Sequence, residues 1–196
     1  MKIWGIGLSR TGSTSLSDAL AILGYRAAHV ILPKHFDLYD AVVDSTVAVR
    51  YQELDQRYPG SKFILTVRRD VEAWLESYHR HIGTGDVSPY AKEWQEEILY
   101  YRPLLFGTVQ FEEATCRAAY FRHVDNIRHY FQGREHDLLE MDIPSGDRWG
   151  KLCAFLDQPI PEEPFPHLNQ GDLSRRLFQS RATKYDIVTG NRIDFP

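Results

Sequence analysis

One loop constrains this chain more than any other stretch: Gly7-Leu8-Ser9-Arg10-Thr11-Gly12-Ser13-Thr14-Ser15. A short apolar run, residues 3–6, precedes it, and residues 16–23, which end before Gly24, have the composition of a helix. In a strand, glycine loop and helix taken in this order, backbone N–H groups and the helix N-terminus converge on an anion. We therefore predict that the loop binds a phosphate group.

The glycine spacing of the loop matches the P-loop of nucleoside triphosphatases except at one position. Ser13 stands where the P-loop has a lysine that contacts the β- and γ-phosphates, which argues against ATP or GTP hydrolysis. A cation, Arg10, lies inside the loop instead. A dinucleotide-binding fingerprint also fails, because Arg10 follows Gly5-x-Gly7-x-x where a third glycine is required. The loop therefore favours a nucleotide whose 5′ end is not an ordinary triphosphate.

Alternating strand and helix patterns predict the fold class. Strands are predicted at residues 25–30, 40–44, 61–69 and 137–143, and helices at 47–58, 71–81, 89–105, 112–131 and 148–156. Such alternation indicates an α/β fold, and we expect three layers, α/β/α, with a central parallel sheet and a P-loop-like first strand, loop and helix. At 196 residues the chain fits a single domain, residues 1–196.

Composition limits the partners and the compartment. A net charge of −4 gives no support for binding to nucleic acid or to a membrane, and no apolar run reaches the length of a membrane span. Arg10 and neighbouring polar residues interrupt any signal peptide. Cys116 and Cys153 are far apart, which indicates neither a disulfide framework nor a metal site. We expect a cytoplasmic protein that needs no metal, and a homo-oligomer is compatible with the sequence.

Chemistry-bearing residues cluster at one predicted edge of the sheet. Ligands of open α/β sheets bind beyond the carboxyl ends of the strands. By the predicted order, the phosphate loop, Asp44, Arg69 and Asp142 all follow strands. We therefore expect these groups to lie near one another.

A second phosphate site is predicted at the end of the central strand. Arg69 closes that strand, and Ser77 lies in the following helix. A planar guanidinium and a hydroxyl suit a phosphate that lies far from the first one. The alternative is that Arg69 pairs with Asp70 or Glu72 while Ser77 is simply exposed.

The two stretches resemble the nucleotide motifs of the sulfotransferase family. The first is Gly7-x-x-Arg10-Thr11-Gly12-Ser13-Thr14-Ser15-Leu16, and the second is Phe63-Ile64-Leu65-Thr66-Val67-Arg68-Arg69-Asp70-x-x-x-Trp74-x-x-Ser77. Residues 138–169 are similar to the downstream part of the bacterial and fungal branch. The resemblance implies transfer of a sulfuryl group from 3′-phosphoadenosine-5′-phosphosulfate (PAPS) to a hydroxyl or amine of a small-molecule acceptor, with the bisphosphate PAP as product and no metal.

The resemblance also implies residue roles. Arg10 matches the loop cation that stabilises the departing phosphate oxygen, and Arg69 with Ser77 matches the pair that holds the 3′-phosphate. The loop around the 5′-phosphosulfate corresponds to Thr11, Gly12, Ser13, Thr14 and Ser15. The family's late Arg-Lys-Gly loop has no clear match, although several basic residues could replace it: Arg175, Arg176, Arg181 and Lys184.

The general base is the open assignment. The acceptor must lose a proton as it attacks sulfur, so a base within hydrogen-bond reach is useful. The family places a histidine or glutamate upstream of the 3′-phosphate strand, and Asp44 occupies about that place here. His29 is the main rival, with His79 and His81 as further candidates. Asp44 could instead cap the helix that begins near residue 46.

Two other functions compete with the sulfotransferase hypothesis. The first is a P-loop kinase or NTPase-like protein, supported by the apolar run that ends at Asp142, which is typical of a magnesium-binding strand. The second is a non-catalytic nucleotide sensor. The acceptor pocket is expected around residues 31–39, 79–90 and the helix to residue 105, whose aromatic content suits a partly apolar small molecule.

Overall fold

The computed structural model describes residues 1–166, 183–185 and 192–193. Its strands are β1 (Ile3–Gly5), β2 (Ala27–His29), β3 (Ala41–Val43), β4 (Lys62–Thr66), β5 (Leu138–Met141), β6 (Thr183–Tyr185) and β7 (Arg192–Ile193). Its helices are α1 (Ser13–Ile22), α2 (Ser45–Ala48), α3 (Tyr51–Arg57), α4 (Val71–Ile82), α5 (Lys92–Phe106), α6 (Glu113–Tyr130) and α7 (Trp149–Leu156), and a 3₁₀ helix spans Pro33–Leu38.

The strands form one sheet in the order β5-β4-β1-β3-β2-β6-β7. All neighbours from β5 to β6 pair in parallel, and β7 is antiparallel to β6. Gly5 lies opposite Val43 of β3 and Ile64 of β4, so β1 and β3 end at the same level and β4 continues for two more residues. The chain segments that follow them therefore meet at one edge of the sheet, as predicted.

Helices cover both faces of the sheet. Successive strand residues point to opposite faces, so Trp4 packs in one core and its neighbour Ile3 in the other. The core around Trp4 includes α4 and α6 residues such as Trp74 and Ile127, whereas the core around Ile3 includes Leu16 of α1 and residues of α7. The predicted three-layer α/β/α fold with a central parallel sheet is confirmed.

Two features differ from the predicted elements. Residues 47–58 do not form one helix: α2 ends at Ala48, and α3 begins at Tyr51. Between them Arg50 leaves helical geometry, and its guanidinium bonds the Thr46 carbonyl and ion-pairs with Glu97 of α5. The second difference is that β6 and β7 lie in the basic tail, where the sequence shows no strand pattern. No helix in the described residues is long and apolar enough to cross a membrane.

Candidate functional site

The loop between β1 and α1 has the geometry of a phosphate cradle. A Cβ at Gly7 would lie 1.9 Å from Thr66 Oγ1, so only glycine lets the chain pass this close to β4. Gly12 precedes α1 with φ +105°, a left-handed conformation that favours glycine, and no side chain caps the helix. The N–H groups of the first turn have no acceptor within a helix. The start of α1 can therefore donate to an anion.

Arg10 extends from this loop toward α4. Its Nε–H donates to Ser77 Oγ at 3.1 Å, and Ser77 is only 6% exposed. One turn earlier on the same face of α4, Trp74 Nε1–H donates to the Ser9 carbonyl at 3.0 Å. The face of α4 that carries Trp74 and Ser77 thus lies along the loop. It brings into contact two residues, Arg10 and Ser77, that the resemblance assigns to different phosphates.

Asp44 is the centre of a buried polar cluster, the Asp44 cluster, which comprises Ser9, Ser13, His29, Asp44 and Ser45. Asp44 Oδ2 accepts from Ser13 Oγ at 2.6 Å and from His29 Nε2 at 3.1 Å. Its Oδ1 accepts from Ser9 Oγ at 2.8 Å and from the backbone N–H and hydroxyl of Ser45 at 2.6 and 2.9 Å. Asp44 and His29, the two main candidates for the general base, are therefore hydrogen-bonded to each other.

The surroundings of Asp44 keep it ionised. Burial alone would raise its pKa, but hydrogen bonds from His29, Ser13 and the Ser45 N–H outweigh burial and hold the pKa far below its ordinary value. Asp44 also caps α2, as the alternative interpretation predicted. Because a carboxylate only accepts, His29 donates through Nε2, which leaves Nδ1 as the unprotonated ring nitrogen of neutral His29.

The other hydroxyl groups of the loop differ in their hydrogen-bond partners and in burial. Thr11 Oγ1 is within 2.6 Å of both the Leu8 carbonyl and Thr66 Oγ1, so it fixes the loop against β4. Thr14 is half-buried, with Oγ1 3.5 Å from His29 Nε2, and Ser15 is buried. The Thr11 and Ser13 side chains thus form hydrogen bonds inside the protein, so the main-chain N–H groups of the loop are the donors that remain for an anion.

Arg69 and Asp142 lie together at the end of β4. The Arg69 side chain is 79% exposed, and its Nε lies 3.6 Å from Asp142 Oδ2. Asp142 is buried and accepts from the N–H groups of Arg69 and Ser145 at 3.1 and 3.0 Å, so it shapes these turns. The alternative, in which Arg69 pairs with Asp70 or Glu72, is not observed, because Asp70 caps α4 and Glu72 pairs with Arg117.

Asp142 is also the residue on which the kinase-like alternative depends, as the predicted magnesium ligand at the end of a strand. Both its oxygens accept backbone hydrogen bonds, which is a structural use of the carboxylate. Within the part of the chain that the structure describes, no group of metal-ligating side chains gathers at this edge or elsewhere. The basic candidates for the late 3′-phosphate contact, Arg175, Arg176, Arg181 and the Lys184 side chain, lie outside the described residues.

His81 extends the site along α4. It lies one turn after Ser77 on the same face of α4. The surrounding protein partly desolvates the imidazole and, together with the nearby Arg10 guanidinium, lowers the pKa of His81 below its ordinary value, although Asp44 acts in the opposite direction. His81 is therefore neutral at pH 7. The spacing of Trp74, Ser77 and His81 is the sequence signal that groups them.

Several residues of the site were not singled out from the sequence. Ser9 and Ser45 complete the hydrogen bonds to Asp44. The sequence offered one signal for each: Ser9 lies within the loop, and Ser45 directly follows Asp44. Tyr78 and Tyr101 lie close enough for the Asp44 charge to raise their pKa, after the larger effect of burial. No spacing rule links these two tyrosines, on α4 and α5, to Asp44.

A phosphate cradle at the carboxyl edge of a parallel α/β sheet defines the class of P-loop-like nucleotide-binding domains. Comparison with known families is more specific: the model of the sulfotransferase domain matches residues 2–33 and 28–173. The chain therefore belongs to the sulfotransferase family, which confirms the resemblance. The chain is also similar to Ava biosynthesis cluster protein M of Aspergillus versicolor, with 28% identity over 233 aligned positions that cover 94% of this chain and 86% of the relative.

Proposed function

We propose that this sulfotransferase moves a sulfuryl group from PAPS to a hydroxyl or amine of a small-molecule acceptor. The observation that carries the proposal is Arg10, a cation inside a phosphate loop that lacks the triphosphatase lysine and precedes an uncapped helix N-terminus. Membership of the family supports sulfotransferase activity in general. The printed name of the fungal relative, a biosynthesis cluster protein, favours a small-molecule acceptor.

The proposed nucleotide site has two ends. At one end the main chain from Thr11 to Ser15 and the start of α1 bind the 5′-phosphosulfate. At the other end Arg69, which is exposed, and Ser77 bind the 3′-phosphate. Ser77 Oγ accepts from Arg10 Nε, so its own O–H remains available to donate to a phosphate oxygen.

Bound PAPS supplies a sulfuryl group on a phosphate leaving group; the acceptor oxygen bonds to sulfur as the bond from sulfur to the bridging oxygen breaks. Arg10 stabilises the negative charge that develops on that oxygen, because a fixed guanidinium in a site shielded from water interacts strongly with new charge. The products are the sulfated acceptor, PAP and the acceptor proton. The protein must therefore hold that proton.

We assign the proton to His29, with Asp44 as its positioning residue. A carboxylate whose pKa is held this low is a weak base, so Asp44 is better suited to orient His29 than to deprotonate the acceptor. The hydrogen bond from His29 Nε2 to Asp44 Oδ2 fixes the ring and leaves Nδ1 to accept the proton. Other enzymes likewise use a carboxylate to orient a histidine and the histidine to accept the proton.

Calorimetry with PAP, AMP and ATP with magnesium tests the proposal. A charge-assisted contact to the 3′-phosphate is worth about 1.5–3 kcal/mol, so PAP should bind roughly one to two decades more tightly than AMP. Arg69→Ala should remove that preference. Tighter binding of ATP with magnesium would instead support the kinase-like alternative.

Activity is tested with labelled PAPS and a panel of phenols, sterols, sugars and amines. The expected result is label transfer to at least one class of acceptor without added metal. PAP binding without transfer to any acceptor would favour the nucleotide-sensor alternative.

A further inference from the structure

Arg102 of α5 is a buried cation with little compensation. The residue is 6% exposed, and within the described residues its hydrogen bond is from Nη1 to the Gly85 carbonyl at 3.1 Å. It forms no ion pair with a described carboxylate. A buried charge without an opposite charge is costly. Arg50 shows the usual solution, because its Nη1 and Nη2 bind both oxygens of Glu97 at 2.6 and 2.9 Å.

The unused edge of Arg102 suits a carboxylate. The bond to Gly85 uses Nη1, and no described residue accepts from Nε or Nη2. Elsewhere in the chain this same edge binds carboxylates: Arg26 holds Asp40 through Nε and Nη2 at 2.9 and 2.8 Å. Arg128 holds Glu140 in the same way. Two parallel N–H donors match two carboxylate oxygens in both distance and direction.

A second unsatisfied group lies beside Arg102. Tyr78 is 2% exposed, and its hydroxyl has no hydrogen-bond partner in the described structure. Its ring stacks on Phe106 at a centroid distance of 4.4 Å, and Phe106 lies one turn after Arg102 on α5. Burial raises the pKa of Tyr78, whereas the Arg102 charge lowers it, so the two groups are electrostatically coupled. The stacking of Tyr78 on Phe106 therefore places a hydroxyl without a partner on α4 and a guanidinium with one acceptor on α5, at facing positions.

This pair lies within electrostatic reach of the Asp44 cluster. The Asp44 charge acts on Tyr78, and the charges of Asp44 and Arg102 both act on His81. Thr46, the residue after Ser45, has a buried hydroxyl that also lacks a partner among the described residues. The ion pair between Arg50 of the α2–α3 connection and Glu97 holds α5 beside these residues. We name the three buried residues with incomplete hydrogen bonding in this region, Thr46, Tyr78 and Arg102, the Arg102 pocket.

We propose that the acceptor of this enzyme carries a carboxylate, which the Nε and Nη2 groups of Arg102 and the hydroxyl of Tyr78 bind. This inference rests on the proposed function and narrows the acceptor class to hydroxylated or aminated carboxylic acids. Fixing the acid group in the Arg102 pocket directs the acceptor hydroxyl toward the Asp44 cluster. A neutral acceptor leaves Arg102 buried without an opposite charge, which is the physical origin of the selectivity.

The test compares acids with their methyl esters. Calorimetry of the full chain, with and without saturating PAP, uses two acids, 4-hydroxybenzoate and 3-(4-hydroxyphenyl)propanoate, and the methyl ester of each. We expect at least one acid to bind roughly tenfold or more tightly than its ester, because a bidentate charged contact is lost in the ester. Arg102→Gln should abolish that preference and leave PAP affinity unchanged. Arg80→Gln, which removes an exposed charge from α4, is the matched control and should keep the preference.

Arg102→Lys tests the same prediction if Arg102→Gln does not fold. A lysine keeps the charge but not the paired donors, so it should retain part of the preference for the acid. The inference is overturned by equal affinity for acid and ester, by no binding of either acid, or by a preference that survives Arg102→Gln. Failure of the proposed function is distinguishable, because PAP would then show no advantage over AMP in wild-type protein whatever the acids do.

Discussion

The Asp44 cluster and the Arg102 pocket are neighbours with opposite hydrogen-bond status. In the Asp44 cluster, a buried carboxylate accepts hydrogen bonds from side chains on the loop and α1, from β2 and from α2. In the Arg102 pocket, the Tyr78 and Thr46 hydroxyls have no partner among the described residues, and the Arg102 guanidinium has one carbonyl. The polar groups of the first region have partners within the protein, whereas those of the second would gain theirs from the acceptor that we propose.

The two regions show two roles of buried polar groups: one stabilises the fold, and the other is open to a ligand that we propose. Bonds to Asp44 connect the phosphate loop to β2 and α2, so the same contacts that orient His29 also hold the fold together. A polar group that is buried without a partner destabilises the free protein by about 1–3 kcal/mol. Such groups are retained where a bound molecule supplies the missing partner. Variants of the two regions should therefore respond in opposite directions.

The largest effect is expected at the centre of the Asp44 cluster. Asp44→Asn places an amide among groups that all donate, so His29 loses its orienting acceptor. We expect kcat to fall by on the order of 10² to 10⁴, as for other bases that lose their orienting carboxylate, and PAP affinity to stay nearly unchanged. Steady-state kinetics and calorimetry measure the two quantities.

Two controls sharpen that result. Asp40→Asn removes an exposed carboxylate that pairs with Arg26, and it should leave kcat unaffected. If Asp44 acts through His29, the double variant Asp44→Asn, His29→Ala should lose little more than His29→Ala alone. Additive losses of kcat would show that Asp44 does not act through His29. Full activity of Asp44→Asn would show that His29 does not require Asp44 to act as a base.

The next effect is expected at Arg10, which lies between the two regions. Arg10→Ala removes a charge that interacts most strongly with the transition state, so kcat should fall by on the order of 10² to 10³. Arg10→Lys keeps the charge and should recover most of that loss. Label transfer from PAPS at saturating acceptor measures kcat. A fall in PAP affinity with no change in kcat would show that Arg10 contributes to binding alone.

The contrast between the regions also explains what the sequence could predict. Residues of the Asp44 cluster follow strands, and the carboxyl edge of a parallel sheet can be derived from strand order alone. The loop glycines, Arg10 and Asp44 were found in this way. Tyr78 and Arg102 depend on how α4 packs against α5, and a missing partner is a property of the folded structure. Neither periodicity nor spacing carries that information.

The break between α2 and α3 has a similar cause. The pattern of residues 47–58 predicts one helix, yet Arg50 leaves it to pair with Glu97, a partner 47 positions away. The strands β6 and β7 were missed because they contain no apolar run, whereas the similarly short β1 and β3 do. Local patterns therefore predicted the layers of the fold, and long-range pairs decided the exceptions.

Acid should destabilise the protein because it protonates His123, a buried histidine that forms a hydrogen bond with the chain just before the loop. His123 Nε2–H donates to the Ile6 carbonyl at 2.8 Å, and burial lowers the pKa of His123 from 6.5 to about 4. Between these values the unfolded chain binds more protons, so the free energy of unfolding falls as pH decreases from 6.5 to 4. The loss should approach about 3 kcal/mol.

His123→Gln isolates this contribution. A glutamine keeps an N–H donor near Ile6 but does not titrate, so the variant should lose less stability between pH 6.5 and 4 than wild type does. His81, whose pKa is also low, titrates in both proteins and cancels in the comparison. Urea unfolding at several pH values measures the difference. Parallel pH profiles for the two proteins would show that His123 is not the group responsible.

The smallest effect distinguishes the two regions most directly, because it compares two tyrosines that flank the same core. Tyr78→Phe removes a hydroxyl without a described partner and should leave the free energy of unfolding unchanged or raise it by about 1 kcal/mol. Tyr120→Phe removes a hydroxyl that accepts from the Arg68 N–H and donates to the Arg68 carbonyl, both at 2.8 Å. It should cost about 1–3 kcal/mol.

Urea unfolding of both variants in the absence of ligand tests this prediction. The sign matters more than the size: a stabilised Tyr78→Phe protein that also binds acids more weakly would connect the missing partner to ligand binding. A Tyr78→Phe variant that unfolds as easily as Tyr120→Phe would mean that the Tyr78 hydroxyl contributes to the fold. Tyr78 would then belong with the groups whose hydrogen bonds stabilise the fold, and the contrast between the two regions would rest on Arg102 and Thr46.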